Sequence, residues 1–327
     1  MRRGGAATRP DPAPLPSPRR VALGATGPED VVFDREGRVL TGVDDGRVLR
    51  IVLPGARRPA TIEQVGHTHG RPLGLELLPD GRLLVCDAHR GLLRLDPEGN
   101  RSAEVLADSV AGSPLRFCSN AVAATDGTIY FTVSSRRHGL DDWLSDILEH
   151  EPTGLLVRLS PGGEPQVLLD GLQFANGVAL APDESYVMVA ETGACRLTRL
   201  WLSGPGAGRK DTLADALPGL PDNVSSSPGG GFWVALAAPR TPPARWLHRA
   251  PARARRAVAA AARRLPDPPP SGARVIEVDA EGRVLRELRG GRRRFGMTTS
   301  VAEREERLVM GSLVENAIAW CELPAAR

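Results

Sequence analysis

The stretch LQFANGVALAPDESYVMVAET, residues Leu172–Thr192, decides the fold because it holds two short strands joined by a turn. Val178–Leu180 gives an apolar strand, and Tyr186–Ala190 gives a second one. Pro182 and Asp183 between them are typical turn residues, since proline suits the first corner and aspartate can bond its own backbone. Two such strands cannot bury their faces alone, so we expect the unit to recur along the chain.

The unit does recur, with about six copies at spacings of roughly 45 to 75 residues, which is typical of β-propeller blades rather than helical repeats. A third strand follows most copies, as in GLLRLDPEG and GLLVRLSPGG. The sequence therefore predicts an all-β, six-bladed β-propeller over residues 21–327, with a helical insertion at about 239–270 and a disordered tail at 1–20. We expect an N-terminal strand at Arg20–Leu23 to close the ring, which removes the free sheet edges.

Aligned on their polar turns, the copies share one position, which holds Glu29, Leu73, Asn120, Asn176, Asp222 and Thr299. In a propeller the first strand of each blade lines the central channel, so these side chains converge on the axis. Glu29, Asn120, Asn176 and Asp222, with Asn223 directly after, form a set of carboxylate and amide oxygens. Hard oxygen donors of this kind suit Ca²⁺. The alternative is that the NG and DN pairs only make turns.

The composition excludes several other classes of protein. A net charge of +3 is small for 327 residues, and no motif for reading DNA or RNA accompanies the arginines. The four cysteines show no C-x-x-C spacing and are interpreted as buried thiols. No stretch reaches the roughly 18 apolar residues of a membrane span, and no secretory signal is evident, so a cytoplasmic location is the default expectation.

Two insertions interrupt the repeat. The first insertion has apolar residues at helical spacing, which predicts a short amphipathic helix across one mouth of the channel. Its apolar residues are Leu140, Trp143, Leu144, Ile147 and Leu148. Its acidic residues, expected on the solvated face, are Asp141, Asp142, Asp146 and Glu149. The second predicts a basic helix over about 244–265, which either makes peripheral contact with an anionic membrane or caps the mouth of the propeller.

Four motifs carry a resemblance to a known family: RPLGLELLPDG, NAVAATDGTIYFT, LQFANGVALAPDESYVMVAET and LPGLPDNVSSSPGGGFWVAL. By these motifs the chain resembles the strictosidine-synthase-like family, close to its adipocyte plasma membrane-associated protein branch. That family is related to the paraoxonase, diisopropyl-fluorophosphatase and gluconolactonase propellers. The resemblance implies a channel Ca²⁺ held by Glu29, Asn120, Asn176, Asp222 and the adjacent Asn223.

The chain also departs from these relatives. Leu73 stands where paraoxonases place a catalytic histidine, and FGMTTSV offers Thr299 and Ser300 where the plant Pictet–Spengler enzymes use a glutamate. The resemblance therefore does not imply strictosidine synthesis. No G-x-S-x-G motif is present either, so a serine hydrolase mechanism lacks its signature.

The leading hypothesis is a calcium-dependent hydrolase acting on a small-molecule lactone or aryl ester. Ca²⁺ would polarise the carbonyl, and a water molecule activated by the metal or by Asp222 would attack it. The alternative is a non-catalytic propeller that uses Ca²⁺ structurally and presents its loops to a membrane surface or a protein partner.

Overall fold

The computed structural model describes residues 9–55, 57–99, 102–266, 268–291 and 293–324. Its strands form six four-stranded antiparallel units around a central channel, which confirms the predicted six-bladed β-propeller. Blades 1 to 3 comprise the strands Val31–Phe33, Val39–Gly42, Arg47–Val52 and Thr61–His67; Pro72–Leu77, Leu83–Asp87, Gly91–Leu95 and Ala103–Ala107; and Cys118–Ala123, Ile129–Val133, Gly154–Leu159 and Gln166–Leu172.

Blades 4 to 6 continue the same up-and-down order, except that the last blade takes its outer strand from the N-terminal part of the chain. Their strands are Ala175–Leu180, Tyr186–Glu191, Arg196–Trp201 and Lys210–Ala214; Gly219–Ser226, Phe232–Pro239, Arg274–Val278 and Val284–Arg289; and Thr298–Arg304, Arg307–Ser312, Ala317–Glu322 and Arg19–Ala22. Two short strands, Ser109–Val110 and Ser113–Pro114, form a separate hairpin.

The ring closes through Arg19–Ala22, which pairs antiparallel with Ala317–Glu322. The predicted closing strand is thus confirmed to within one residue. A further short strand, Ala13–Pro14, pairs in parallel with Val284–Arg289 at the edge of blade 5. The sequence predicted a disordered tail over residues 1–20. Residues 9–20 instead lie along blades 5 and 6, because their backbone adds a strand to the edge of each of these two sheets. Residues 1–8 lie outside the described part.

Apolar side chains pack between neighbouring blades rather than in one central core. Tyr186–Glu191, the second strand of blade 4, is buried along its whole length because a blade covers each of its faces. Six clusters of buried apolar residues occupy the interfaces between successive blades, including the one between blades 6 and 1. All four cysteines are buried and form no disulfide, as the sequence predicts. The polar channel is thus held on all sides by packed sheets.

Three helices and a 3-10 turn lie over one mouth of the channel. Leu140–Asp142 forms the 3-10 turn, and α1 follows it at Trp143–Glu149. The second insertion forms two helices, α2 at Pro242–Arg249 and α3 at Ala252–Ala262, where the sequence predicted one. The break falls before Pro251, which cannot donate a backbone hydrogen bond and favours an extended preceding residue, and Ala250 is extended. We call these helices together the lid.

One further short element lies in blade 4. A 3-10 turn at Gly204–Gly206 connects the third and fourth strands of blade 4. Because all blades run in the same sense, such connections between third and fourth strands lie at the end of the propeller opposite the lid, together with the turns between first and second strands.

Candidate active site

The first strand of most blades carries an irregularity that brings two consecutive side chains to the channel. In blades 2 to 5 its pairing with the second strand skips two residues, as between Ala175 and Val178 in blade 4. An irregularity of this kind re-aims side chains and is common beside functional sites. The result is two rings of residues, one sequence position apart, around the channel axis.

The upper ring faces a cavity of about 1020 Å³ beneath the lid, and the lower ring lies one residue further along each first strand. The upper ring consists of Glu29, Leu73, Ser119, Asn176, Asp222 and Thr299, all of which line that cavity. The lower ring consists of Asp30, Gly74, Asn120, Gly177, Asn223 and Ser300, and its four residues with side chains line a smaller cavity of about 250 Å³ toward the other end.

The structure divides the five predicted metal ligands between these rings. Glu29, Asn176 and Asp222 lie in the upper ring, whereas Asn120 and Asn223 lie in the lower ring. In blade 3, Cys118 and Ala121 pair as Ala175 and Val178 do in blade 4, so Ser119 occupies the position of Asn176. The alignment on turns therefore set blade 3 one residue out of register.

The two upper-ring carboxylates are buried and incompletely bonded. Glu29 Oε1 accepts a hydrogen bond from Asn223 Nδ2 at 3.0 Å, but Glu29 Oε2 has no partner in the described structure. Asp222 Oδ1 is likewise buried without a partner among the described residues. Buried polar atoms are normally bonded, so these two oxygens require an explanation such as an ion.

Burial also raises the pKa values of both carboxyls. The pKa of Glu29 lies well above its usual range, first because of desolvation and then because of the nearby charges of Asp222 and Asp30. Desolvation raises the pKa of Asp222 to about 8, although a hydrogen bond from Asn176 opposes it. Arg71 lowers the pKa of Glu29 but does not offset its burial. The upper ring is therefore short of positive charge.

The lower ring has the opposite character, because its carboxylate is fully bonded. Asp30 Oδ1 accepts from the Val31 backbone N at 2.8 Å and from Ser300 Oγ at 2.5 Å. Asp30 Oδ2 accepts from the Leu75 backbone N at 2.8 Å and from Asn120 Nδ2 at 3.2 Å. Asn120 Nδ2 also donates to Asn223 Oδ1 at 3.1 Å. Asp30 thus ties together strands of several blades.

Asp30 was missed in the sequence prediction, although it directly follows Glu29 in EDVVFD. Its pKa is raised to about 6 by burial, against the lowering effect of its hydrogen bonds. The glycines of the same ring serve close packing: a Cβ on Gly177 would lie 2.5 Å from the Asp222 carbonyl oxygen. The hydrogen bonds and close packing of the lower ring therefore hold the blades together.

The lid contributes apolar groups and two histidines to the cavity. Leu73, Phe117, Ile147 and Phe174 belong to one buried cluster beside the cavity, so the predicted helix across the channel mouth is confirmed. Its acidic residues are not all solvated as predicted, since Asp146 and Glu149 are buried. The cause is local pairing: Glu149 lies 3.3 Å from His138 and 3.2 Å from Arg137.

His150 ends α1 in the left-handed conformation and stacks on His248 of α2, with ring centroids 3.8 Å apart. Both rings line the cavity. Burial, followed by the His248 and arginine charges, lowers the pKa of His150 to about 4, and burial also lowers that of His248. Both are therefore neutral near pH 7. Their partnership joins two distant insertions, which is why no local motif revealed it.

Comparisons with known proteins show which family and which solved structures the chain is similar to. Residues 119–205 match the family model described as strictosidine synthase, and residues 14–51 match the one described as strictosidine synthase-like, N-terminal. Protein STRICTOSIDINE SYNTHASE-LIKE 10 of Arabidopsis thaliana is 38% identical over 241 residues, which are 68% of this chain and 64% of that protein. The chain is strictosidine-synthase-like.

The adipocyte plasma membrane-associated protein of Rattus norvegicus is also 38% identical, over 230 residues that are 66% of this chain and 60% of that protein. This strictosidine-synthase-like chain therefore spans about three fifths of the length of the curated relatives it matches. The resemblance inferred from the repeat motifs is confirmed.

Among solved structures, a gluconolactonase of Xanthomonas campestris superposes with a TM-score of 0.65 at 19% identity, covering 97% of this chain and 99% of that chain. A regucalcin of Agrobacterium tumefaciens, described as a calcium-binding protein, superposes with a TM-score of 0.63 at 14% identity, covering 93% of each chain. At such identities the likeness shows that the strictosidine-synthase-like chain shares their fold.

The expected cytoplasmic location is wrong in the light of these relatives, several of which carry a plasma membrane in their name. That expectation rested on the lack of an apolar run in the sequence, which does not report on attachment to a membrane surface. In the part of the chain that the structure describes, no helix is long and apolar enough to cross a membrane.

Proposed function

We propose that this strictosidine-synthase-like propeller hydrolyses a lactone or aryl ester in the cavity beneath the lid, with Ca²⁺ bound at the upper ring. The observation that carries the proposal is the pair of buried, unpartnered carboxylate oxygens, Glu29 Oε2 and Asp222 Oδ1. An uncompensated pair of buried carboxyls is costly, and a hard cation is the partner that suits oxygen donors.

The donor chemistry of the upper ring fits such a cation. Glu29 and Asp222 would supply carboxylate oxygens, and Asn176 would supply an amide oxygen, which now accepts from Ser119 Oγ at 3.0 Å. Asn120 and Asn223 would act from the lower ring by orienting Glu29 and Asp30. When bound, the cation would polarise the substrate carbonyl as a Lewis acid.

The protein groups around it would do the remaining work. The apolar wall formed by Leu73, Phe117 and Phe174 would bind the acyl or aryl part and exclude bulk water. Asp222 Oδ1 would accept a proton from the attacking water as the water oxygen forms a bond to the carbonyl carbon. The bond from that carbon to the ester oxygen then breaks, and the departing oxygen takes up the proton.

The direct test is hydrolysis of phenyl acetate and a γ-lactone by purified protein, after chelation and then with Ca²⁺ added back. We expect activity to disappear with EDTA and to return with Ca²⁺. Asp222→Asn should lower kcat at least about 100-fold, the scale of a lost general base, while the fold is retained. Asp183→Asn, on the exposed turn of blade 4, is the matched control and should keep full activity.

Two results would contradict the proposal. One is turnover that is unaffected by EDTA or by Asp222→Asn. The other is saturable Ca²⁺ binding that raises the unfolding temperature without any turnover, which would favour the alternative of a non-catalytic propeller with a structural ion.

A further inference from the structure

The outer surface of the lid exposes large apolar side chains that the fold does not use. Trp246 of α2 is 75% exposed, Leu265 just after α3 is 68% exposed, and Val258 of α3 is 42% exposed. Trp201, Trp233 and Trp320, by contrast, are buried or partly buried against the blades. Exposed aromatic and aliphatic groups gathered on one segment commonly mark an interaction site.

The same surface carries a strong positive charge. Residues 239–266 hold eight arginines and no aspartate or glutamate. Three of these arginines are bonded to the first insertion: Arg255 to the Glu149 carbonyl, Arg256 to Glu151 and Arg263 to Asp142. They fix the lid to the propeller and are accounted for by the fold.

Four other arginines are exposed and form no ion pair within the described residues: Arg245, Arg249, Arg253 and Arg264. The two faces of α3 differ accordingly. Its inner residues Ala252, Arg255, Ala259 and Ala262 recur at helical spacing and are at least partly buried, whereas the residues between them are exposed. The unpaired arginines are thus exposed near Trp246 and Leu265 in the sequence, and two of them, Arg245 and Arg249, also line the cavity beneath the lid.

We propose that this outer lid surface docks on an anionic lipid bilayer. The free arginines would contact the headgroup phosphates, while Trp246, Val258 and Leu265 enter the interface. A bilayer fits better than a protein partner because the three exposed apolar groups are spread over α2, α3 and the residues just after α3, among four exposed arginines without an ion pair in the described structure. Ala244 and His248 of α2 line the cavity, so docking would bring the cavity mouth to the membrane.

Cosedimentation with vesicles tests this surface directly and needs no turnover. We expect the protein to bind vesicles of phosphatidylcholine that contain about 30% phosphatidylserine, an anionic lipid that gives the vesicle a negative surface potential. Binding to vesicles of pure phosphatidylcholine should be at least about tenfold weaker. Binding should weaken as the salt concentration rises, because screening shortens the reach of the arginines. Brominated lipid should quench Trp246 fluorescence, and Trp246→Phe should remove the quenching while most of the binding remains.

The decisive variant replaces Arg245, Arg249, Arg253 and Arg264 with glutamine. It should weaken binding to anionic vesicles more than about 100-fold, since each basic residue near a charged surface contributes roughly a fivefold factor. The control replaces Arg57, Arg58, Arg209 and Arg307 with glutamine; these are exposed and lie in or beside turns at the opposite end of the propeller, and of the four only Arg209 lies within ion-pair distance of an acid in the described structure, 3.5 Å from Asp211. It carries the same change in charge and should bind nearly as well as the wild type.

All eight substituted side chains are exposed, so thermal unfolding should be unchanged in both variants. Equal losses in the two variants would reduce the effect to net charge and overturn the proposal. Equal binding to neutral and anionic vesicles would also overturn it, as would unaltered binding by the lid variant. A wild-type protein that binds anionic vesicles but hydrolyses neither test ester would contradict only the proposed function, because the two assays share no readout.

Discussion

The two rings of the channel lie one residue apart in sequence, yet the fold treats their carboxylates differently. Asp30 in the lower ring accepts four hydrogen bonds from three other residues and its own neighbour. Glu29 and Asp222 in the upper ring each keep a buried oxygen without a partner in the described structure. The lower ring is thus a satisfied network of hydrogen bonds, whereas the upper ring keeps two buried acceptors without a hydrogen bond in the described structure. Each prediction below tests that contrast.

The largest effect is expected from comparing Asp30→Ala with Asp222→Ala in the presence of EDTA. Asp30→Ala leaves the Leu75 N–H and the Asn120 amide without their buried acceptor, so it should lower the free energy of unfolding by about 3 kcal/mol or more. Asp222→Ala removes an uncompensated buried carboxyl and should change that free energy by about 1 kcal/mol or less. Urea unfolding measures both. Equal losses would show that the rings do not differ in this way.

The next prediction concerns pH and the metal-free protein. The folded-state pKa of Asp222 is raised to about 8, so between about pH 4 and pH 8 the folded state holds a proton that the unfolded state has released. Stability should therefore fall as pH rises through this window. Between pH 6.5 and 8 we expect a loss of about 1.5 kcal/mol, given about 1.4 kcal/mol per pH unit per proton.

The design of that measurement separates Asp222 from other groups. His150, with a pKa lowered to about 4, acts in the opposite direction but mainly below pH 6.5. Glu76, whose burial raises its pKa to about 8, and Glu29, whose burial also raises its pKa, act in the same direction as Asp222 and are present in every variant. Urea unfolding in EDTA should thus give a flatter pH profile for Asp222→Asn than for the wild type, and excess Ca²⁺ should remove the fall. Identical profiles for the two proteins would rule out a raised pKa at Asp222.

How far the sequence predicts this contrast depends on the range of the interactions involved. The blades follow from local turn chemistry and strand pattern around segments such as Leu172–Thr192, and those same local signals placed Glu29, Asn176 and Asp222 at the channel, where they line the cavity. The partnership of Asp30 with Asn120 and the stacking of His150 on His248 join residues about 90 and 100 positions apart, and no local pattern encodes them.

The register of blade 3 shows more closely how far the sequence can predict which side chains reach the channel. Aligning on the turn placed Asn120 beside Asn176, whereas aligning on the aromatic residue before each strand, Phe117 or Phe174, gives the observed match of Ser119 with Asn176. A skip of two residues in strand pairing changes which side chain reaches the channel, and it leaves no signal in the turn. Ser119 was therefore available from the sequence, but only through the aromatic residue.

Ser119→Asn gives the smallest effect and sharpens the comparison most. It would place an amide oxygen in the upper ring at the position equivalent to Asn176, and it would remove the hydroxyl that now donates to Asn176 Oδ1 at 3.0 Å. Both changes favour a bound hard cation, so we expect Ca²⁺ affinity measured by calorimetry to rise about tenfold, or about 1.4 kcal/mol. Ser300→Asn, in the lower ring, is the control and should not raise the affinity, because Ser300 Oγ donates to Asp30 rather than facing the cavity beneath the lid. Equal gains from the two variants would mean that both rings can take part in binding the cation, and the division between a structural ring and a binding ring would no longer hold.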